Sequence, residues 1–360
     1  MNTQALQSLA GLSVNEIKEL ISSFTTQSFR AKQIYKWILR GANDFSLMTD
    51  LPLTLQNELK ENFNIYSSFV KACYEENESK KIVVSVKDSP LNIEAVLLSD
   101  EKKRLTACIS TQAGCPAGCV FCKTGSLGFI RNLDHKEIIE QYLHLKTLCE
   151  TSNNDEQTIK KEHAIDNIVI MGMGEPLLNL DNLKKALTFF NDKEGLNFSR
   201  RRITVSTCGI CEGLFEIAQT EFFCSRLALS LTTADEMLRQ KLMPITASNP
   251  LSKIHNALLL FQKNGGGRIT LEIPLLAGIN TREKDAKSVF EFSKGLETVI
   301  NIIPWNPVEG LFFEGKPLKE PEKKETAEFI KMLENYNLKV TMRRRKGRSI
   351  MGACGQLGLK

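Results

Sequence analysis

From about residue 104 onward, short apolar runs of strand type alternate with longer stretches of helical period. The runs are NIVIMGMGEP, RRITVST, RLALSLTT, RITLEIPLLAGIN, VINIIPWNP and LKVTMRRR. Helical stretches follow them, among others from Asn182, near Leu214, from Thr281 and from Pro321. Regular β–α alternation requires a parallel sheet with helices packed outside it. Six units are too few for an eight-stranded barrel, so the expected class is α/β, an open, partial (β/α)6 barrel. In parallel β/α folds the chemistry sits at the C-terminal ends of the strands. Polar residues at those ends are therefore the candidates for function.

Upstream the pattern differs. Residues 1–65 read as helical, with a capping-box pair at Ser13 and Glu16 and a helix through AKQIYKWILRG, apolar at Ile34, Trp37 and Ile38. SFVKACYEE, KKIVVSVKD and NIEAVLLS are short β-type runs between polar turns. The chain thus divides into a helical domain over residues 1–65, a small β accessory segment over 66–98 and a barrel over 99–360. The charged, aperiodic stretch 150–164 reads as an exposed insertion.

Composition, at 42% hydrophobic and 25% charged, is that of an ordinary globular chain. No long apolar run suits a membrane span, and the N-terminus lacks the pattern of a signal peptide, so a cytoplasmic protein is expected. The net charge of +5 points only weakly to an RNA partner. Arg343, Arg344, Arg345, Lys346 and Arg348 crowd one end, as a nucleic-acid contact or as a solvated basic tail. Ten cysteines are many for a reducing compartment, where disulfide frameworks are disfavoured. Metal binding and catalysis become the expected uses of clustered ones.

Three of them do cluster. Cys115, Cys119 and Cys122 lie in CPAGCVFC, a loop made short by Pro116 and Gly118. A closed zinc site wants four ligands, and Cys108, seven residues upstream, is within reach of being the fourth. An iron–sulfur cube held by three thiolates would instead leave one iron open to a substrate. Spacing alone leaves both possibilities standing.

The CxxxCxxC spacing, with an aromatic before the last cysteine, is similar to the cluster motif of the radical S-adenosylmethionine (SAM) superfamily. Over nearly its full length the chain resembles the RlmN group within the RlmN/Cfr family of RNA methyltransferases. FRAKQIYKWI with LMTDLP, CISTQAGCPAGCVFCKTG, IVIMGMGEPLLN, RRITVSTCGI, KLMPI, NIIPWNPVEG and ACGQL carry the resemblance, in the family's order.

The resemblance implies a radical SAM barrel with a [4Fe-4S] cluster on Cys115, Cys119 and Cys122, its fourth iron binding S-adenosylmethionine. It implies two molecules of S-adenosylmethionine per turnover, one methylating Cys354 and one supplying the radical that activates that methyl. The carbon would then add to C2 of an adenine. Glu94, a carboxylate within an apolar strand, stands where the family has its proton acceptor; a place on the strand's polar face is the alternative. Cys108 would attack the protein–RNA thioether and leave as a disulfide with Cys354, a task suited to an exposed thiolate of low pKa. Gly174 and Glu175, in the GEP motif, match contacts to the cofactor's amino group. Ser206, Asn306 and the Ser230-Leu231-Thr232 run match further cofactor contacts, with Thr232 where many relatives carry His. The implied substrates are 23S rRNA near the peptidyl-transferase centre and a tRNA adenosine beside the anticodon, with flavodoxin or ferredoxin as electron donor. Two other readings are Cfr-like methylation at C8 and a non-catalytic zinc-binding RNA-binding or ribosome-assembly protein. Cys208 and Cys211 form a CxxC that relatives generally lack, and with Cys73, Cys149 and Cys224 are expected to be unliganded thiols.

Overall fold

Short apolar stripes at helical spacing build the first unit of the computed structural model, which describes residues 6–77, 79–151, 165–220, 226–343 and 346–358. Helix α1 (Val14–Leu20) starts at the Ser13–Glu16 capping box, in which both reciprocal bonds form. Helix α2 (Phe29–Leu39) buries Ala31, Ile34, Tyr35, Ile38 and Leu39. Trp37, on the edge of that stripe, donates its indole N–H to Asp50 Oδ1 at 2.6 Å. Helix α3 (Leu53–Asn62) follows, and Gln7–Ser8 pairs in parallel with Phe63–Asn64 to bring the two ends of the unit together. The expected insertion at 152–164, with His163, lies outside the described residues, as do Cys224, Arg344 and Arg345.

A single ten-stranded sheet makes up the rest, and its spatial order is its chain order. The strands are β1 (Phe69–Glu76), β2 (Ser79–Ser85), β3 (Ile93–Ser99), β4 (Leu105–Cys108) and β5 (Asn167–Ile170). Then come β6 (Ile203–Thr207), β7 (Arg226–Ser230), β8 (Ile269–Leu275), β9 (Thr298–Pro304) and β10 (Val340–Met342). β1 to β4 pair antiparallel; β4 to β10 pair parallel. The parallel part therefore has one strand more than the six read from the sequence. The extra strand is β4, LTAC, whose four residues are too few to show a period. The β meander is hydrogen-bonded directly onto it, Val96 facing Cys108.

Crossover helices cover the parallel strands: α4 (His135–Thr151), α5 (Leu180–Asn191), α6 (Cys211–Gln219), α7 (Glu236–Leu242), α8 (Leu251–Lys263), α9 (Glu283–Ser293) and α10 (Lys323–Asn335). β8 is buried at Ile269, Leu271, Glu272, Ile273 and Leu275, the near-continuous run that a parallel strand covered on both faces requires. Among the described residues no helix is long and apolar enough to cross a membrane.

The helical unit meets the sheet domain through bonds such as Tyr35 to Asp192 at 3.0 Å and Lys32 to Glu194 at 2.9 Å, and the chain just after it is tied down by one buried carboxylate. Glu140, fully buried on α4, accepts the backbone N–H of Ser67 at 2.8 Å and of Ser68 at 2.9 Å, and both hydroxyls. Ser68 Oγ also meets His144 Nε2 at 3.1 Å. Burial pushes the Glu140 carboxyl up from 4.5 to about 7, and the four donors offset only part of that. Between these two values the folded chain holds a proton that the unfolded chain has released. The group's contribution to stability is thus full below pH 4.5 and is lost as pH rises to about 7. In Glu140→Gln that slope, about 1.4 kcal/mol per pH unit crossed, should vanish. Chemical denaturation of both proteins from pH 4.5 to 7.5 reads it, and parallel pH curves for the two would disprove it.

Candidate active site

The three-cysteine loop leaves the sheet from the end of β4. Gln112–Gly114 pairs antiparallel with Phe129–Asn132 and closes the base of the loop. Gly114 sits at φ +76°, where an added Cβ would lie 2.0 Å from the Gly128 carbonyl, so only glycine fits. Three backbone contacts then hold the loop: Val120 N–H to Leu242 O at 3.0 Å, Ile245 N–H to Ala117 O at 3.4 Å, and Trp305 Nε1–H to Phe121 O at 2.9 Å. Cys115, Cys119 and Cys122 all line one cavity at the strand ends.

Burial pushes Cys115 up to about 12, and raises Cys119 and Cys122 as well. Thiolates at these positions need a cationic centre to hold them deprotonated. The three cysteines influence one another electrostatically, whereas Cys108 interacts with Cys354 and Arg343 instead. Cys108 does not line the cavity that the other three share. Among the described residues no group of three His, Cys, Asp or Glu side chains is arranged to hold a single metal ion. Three thiols along a cavity wall, with the cavity itself as the open side, suit a three-ligand cluster with one free iron better than a closed zinc site.

The opposite wall consists of strand ends. Gly172 and Gly174 follow β5, and a Cβ on either would come within 2.6 Å of Ser110 or Gln112. Glu175 is buried, its Oε1 accepting from Thr207 Oγ1 at 2.7 Å and Leu177 N–H at 3.0 Å, its Oε2 from Cys208 N–H at 2.7 Å. Burial raises its pKa, while these donors oppose the rise. Ser206 on β6 lies 3.3 Å from Ser230 on β7 and donates to Glu272 Oε2 at 3.2 Å. Thr232 adopts φ +62°, a conformation costly for a β-branched residue, and its buried Oγ1 has no hydrogen-bond partner among the described residues. Asn306, past β9, likewise has a buried Oδ1 without a partner among them. Two orphaned polar atoms beside a cavity that also holds Glu175 fit a polar ligand such as S-adenosylmethionine. Leu231 is fully buried and does not line the cavity; its carbonyl accepts from Arg239 and from the Thr233 N–H.

Cys354 borders this cavity and a second, outward one of about 610 Å³. Its segment is pinned from four sides: Asn306 Nδ2 donates to Cys354 O at 3.0 Å, Lys123 N–H to Gly355 O at 2.8 Å, Thr124 Oγ1 to Leu357 O at 2.7 Å, and Gly358 N–H to Glu94 Oε2 at 2.9 Å. Cys354 is exposed where it borders the two cavities, and the protein packed around it pushes its thiol up to about 11. Cys108 lines the outward cavity as well. Contrary to the expected exposed, acidic thiolate, Cys108 is buried at the end of β4, and desolvation pushes it up to about 12. Arg343 counters the rise at both thiols.

Glu94 is buried on β3 rather than on a polar face, and it pairs with the fully buried Lys81 at 3.2 Å. It lines neither cavity and meets the site through the Gly358 N–H. Arg343 corrects the picture of a solvated basic tail at that position. It ion-pairs with Glu272 at 3.8 Å and donates its backbone N–H to Ile302 O at 2.8 Å. Cys208 and Cys211 form no disulfide among the described residues, and Cys208 forms part of the inner cavity wall. Lys81 and Glu272 had no motif to single them out, and Trp305 stood within NIIPWNPVEG without being read as a site residue. The one available signal was a charged residue inside an apolar strand run, KKIVVS for Lys81 and ITLEIPL for Glu272.

Comparison with known proteins agrees with this geometry. Residues 7–65 match the family described as ribosomal RNA large subunit methyltransferase N-terminal domain, and residues 109–288 match the radical SAM superfamily. The chain is 44% identical to a probable dual-specificity RNA methyltransferase RlmN of Treponema denticola, over 97% of this chain and 95% of that one. It is 37% identical to the protein of the same description from Thermotoga maritima, over 99% and 98%. The crystal structure of a radical SAM methyltransferase from Sphaerobacter thermophilus superposes with a TM-score of 0.88 at 30% identity, covering 98% of this chain and 99% of that one.

The pinning of the Cys354 segment is open to direct measurement. Asn306→Ala removes the bond to the Cys354 carbonyl and leaves the other three. Amide exchange of residues 353–357 should accelerate at least several-fold while the sheet exchanges as before. Unchanged protection of that segment would show that Asn306 does not hold it.

Proposed function

Because the chain belongs to the RlmN family of radical SAM methyltransferases, we propose that it methylates C2 of an adenosine in 23S rRNA and in tRNA beside the anticodon. The observation that carries this reading is the position of Cys354, which borders both the cysteine-lined inner cavity and the outward one. A side chain so placed can be loaded from within and delivered outward. Cys115, Cys119 and Cys122 would hold a [4Fe-4S] cluster, and Gly174, Glu175, Ser206, Ser230, Thr232 and Asn306 would bind S-adenosylmethionine, two molecules per turnover. Bound there, this pair supplies the one-electron chemistry that makes an unactivated methyl carbon reactive.

The chain's own residues do the rest. Cys354 Sγ carries the methyl group as a thioether. After the carbon has joined the adenine, Glu94 takes the proton from the adduct carbon, reached by movement of the segment that Gly358 ties to it. Cys108 Sγ, once deprotonated beside the Arg343 guanidinium that opposes the effect of burial, then attacks Cys354 Sγ; the S–S bond forms as the S–C bond breaks, and the leaving carbon takes up a proton to give the methylated base. Reaction at this carbon needs such a route because it is no nucleophile for simple methyl transfer. RNA recognition falls to the helical unit, residues 1–65, and to the mouth of the outward cavity. There Lys102, Arg104, Arg343 and Lys346 surround Cys354 and suit phosphates flanking a flipped base. The barrel spans 99–360, with the 66–98 segment between them. The protein would work in the cytoplasm, drawing electrons from flavodoxin or ferredoxin.

Mass spectrometry of nucleosides after reaction should find 2-methyladenosine; 8-methyladenosine would instead favour the Cfr-like reading. Alanine at Cys115, Cys119 or Cys122 should abolish the iron–sulfur absorbance, and Cys354→Ala should abolish methylation. Cys108→Ala should still attach to labelled RNA and stall as a covalent species on a denaturing gel. Normal turnover by Cys108→Ala, without a trapped adduct, would remove Cys108 from the mechanism.

A further inference from the structure

Arg239, on α7, is the largest fully buried side chain of the protein. Its bonds go to backbone carbonyls: Nε–H to Leu231 O at 3.1 Å, and Nη2–H to Cys208 O at 2.6 Å and Ser230 O at 3.5 Å. Nη1 is buried with no hydrogen-bond partner among the described residues. Among the described residues no carboxylate forms an ion pair with it; Glu236, three residues earlier on α7, acts on it without a direct bond, its Oε2 taken up by the Leu251 N–H at 2.9 Å and its Oε1 buried without a hydrogen-bond partner. A guanidinium is always charged, and burying it among neutral groups is unfavourable. The direct partners of Arg239 are all neutral carbonyls, so its charge is left to act on the groups beyond them.

The surroundings indicate which groups those are. α7 runs directly into Leu242 and Ile245, which hold Val120 and Ala117 of the three-cysteine loop on either side of Cys119. Pro244, between them, lies 3.7 Å from where a Gly118 Cβ would be. The carbonyl partners Cys208 and Ser230 stand at the ends of β6 and β7 and line the same cavity as Cys119. One side chain therefore joins the loop-holding segment to the strand ends behind the loop. The charge of Arg239 is felt at Cys119, Cys208 and Cys211.

We propose that Arg239 is the buried counter-cation of the cluster, a positioning residue whose charge raises the reduction potential of the centre held by Cys115, Cys119 and Cys122. The proposal rests on the reading of that loop as an iron–sulfur site. A cluster on three thiolates is anionic and gains a further negative charge on accepting an electron. A fixed cation in a low-dielectric wall stabilises the reduced form more than the oxidised one.

The test uses the full chain, reconstituted anaerobically with iron and sulfide, and a mediated dithionite titration followed by electron paramagnetic resonance. Arg239→Gln keeps a donor but removes the charge; Arg239→Lys keeps the charge but loses the fork. With iron and sulfide content matched to the unaltered protein, Arg239→Gln should titrate at a lower potential and Arg239→Lys near the original one. If Arg239→Gln loads fully and titrates unchanged, the charge has no role and the proposal falls. If Arg239→Gln fails to load a cluster, loading by Arg239→Lys supports the need for charge. Failure of both variants overturns the proposal and leaves Arg239 a scaffold residue. Failure of the unaltered chain to take up iron and sulfide removes the iron–sulfur reading itself.

Discussion

The hydrogen bonds that lay residues 354–358 across the strand ends are the constraint on which the rest of this site depends. Four residues in three segments distant in sequence contribute: Glu94 on β3, Lys123 and Thr124 after the cysteine loop, and Asn306 after β9. Three of the four bonds engage backbone carbonyls and the fourth a backbone N–H. They fix the path of the chain and leave the Cys354 side chain free at the junction of two cavities. A carrier that must face inward and outward in turn needs that combination of held backbone and free sulfur.

The buried Lys81–Glu94 pair belongs to the same arrangement. Breaking a buried pair by removing one partner costs about 3–5 kcal/mol, because it strands the other charge. Here Lys81 also donates to Met351 O at 3.3 Å, so the pair ties the meander to the segment just before Cys354. The meander is hydrogen-bonded into the barrel sheet, which makes the position of Glu94 a property of the whole sheet. Under the proposed mechanism its carboxylate serves first as an anchor and then as a base. The release of Gly358 would separate the two roles.

Around the outward cavity the balance is electrostatic. Cys108 and Cys354 are both driven toward the neutral thiol by burial, and Arg343 pulls both the other way. Burial also works against the charge of Arg343, but Cys354, Glu272 and Cys108 together hold it protonated. Glu272 reaches inward as well, accepting from Ser206, and so links the two cavities through one buried carboxylate.

Much of this was legible in the sequence, and the boundary has a physical cause. Apolar periodicity reports burial of one face, so it identified the helices and the long parallel strands; the run around Cys108 read as strand-like, but at four residues β4 was too short to be counted among the β–α units. Local motifs report local geometry, so the short loop around Cys115, Cys119 and Cys122 and the glycines before Glu175 stood out without a fold. Where spacing left alternatives open, the folded chain adds a placement: Cys108 lines the outward cavity with Cys354 and Arg343, and not the one lined by the other three cysteines. That Arg343 is a partner of two thiols, that Lys81 neutralises Glu94, and that Glu272 and Arg239 are buried charges at the site follow from contacts between segments far apart in the chain. A single sequence carries no trace of such contacts. The amino acids alone determined the β–α order and the thiol-rich loop, because both are set by neighbours along the chain; only the folded sheet decided which charges face which sulfur.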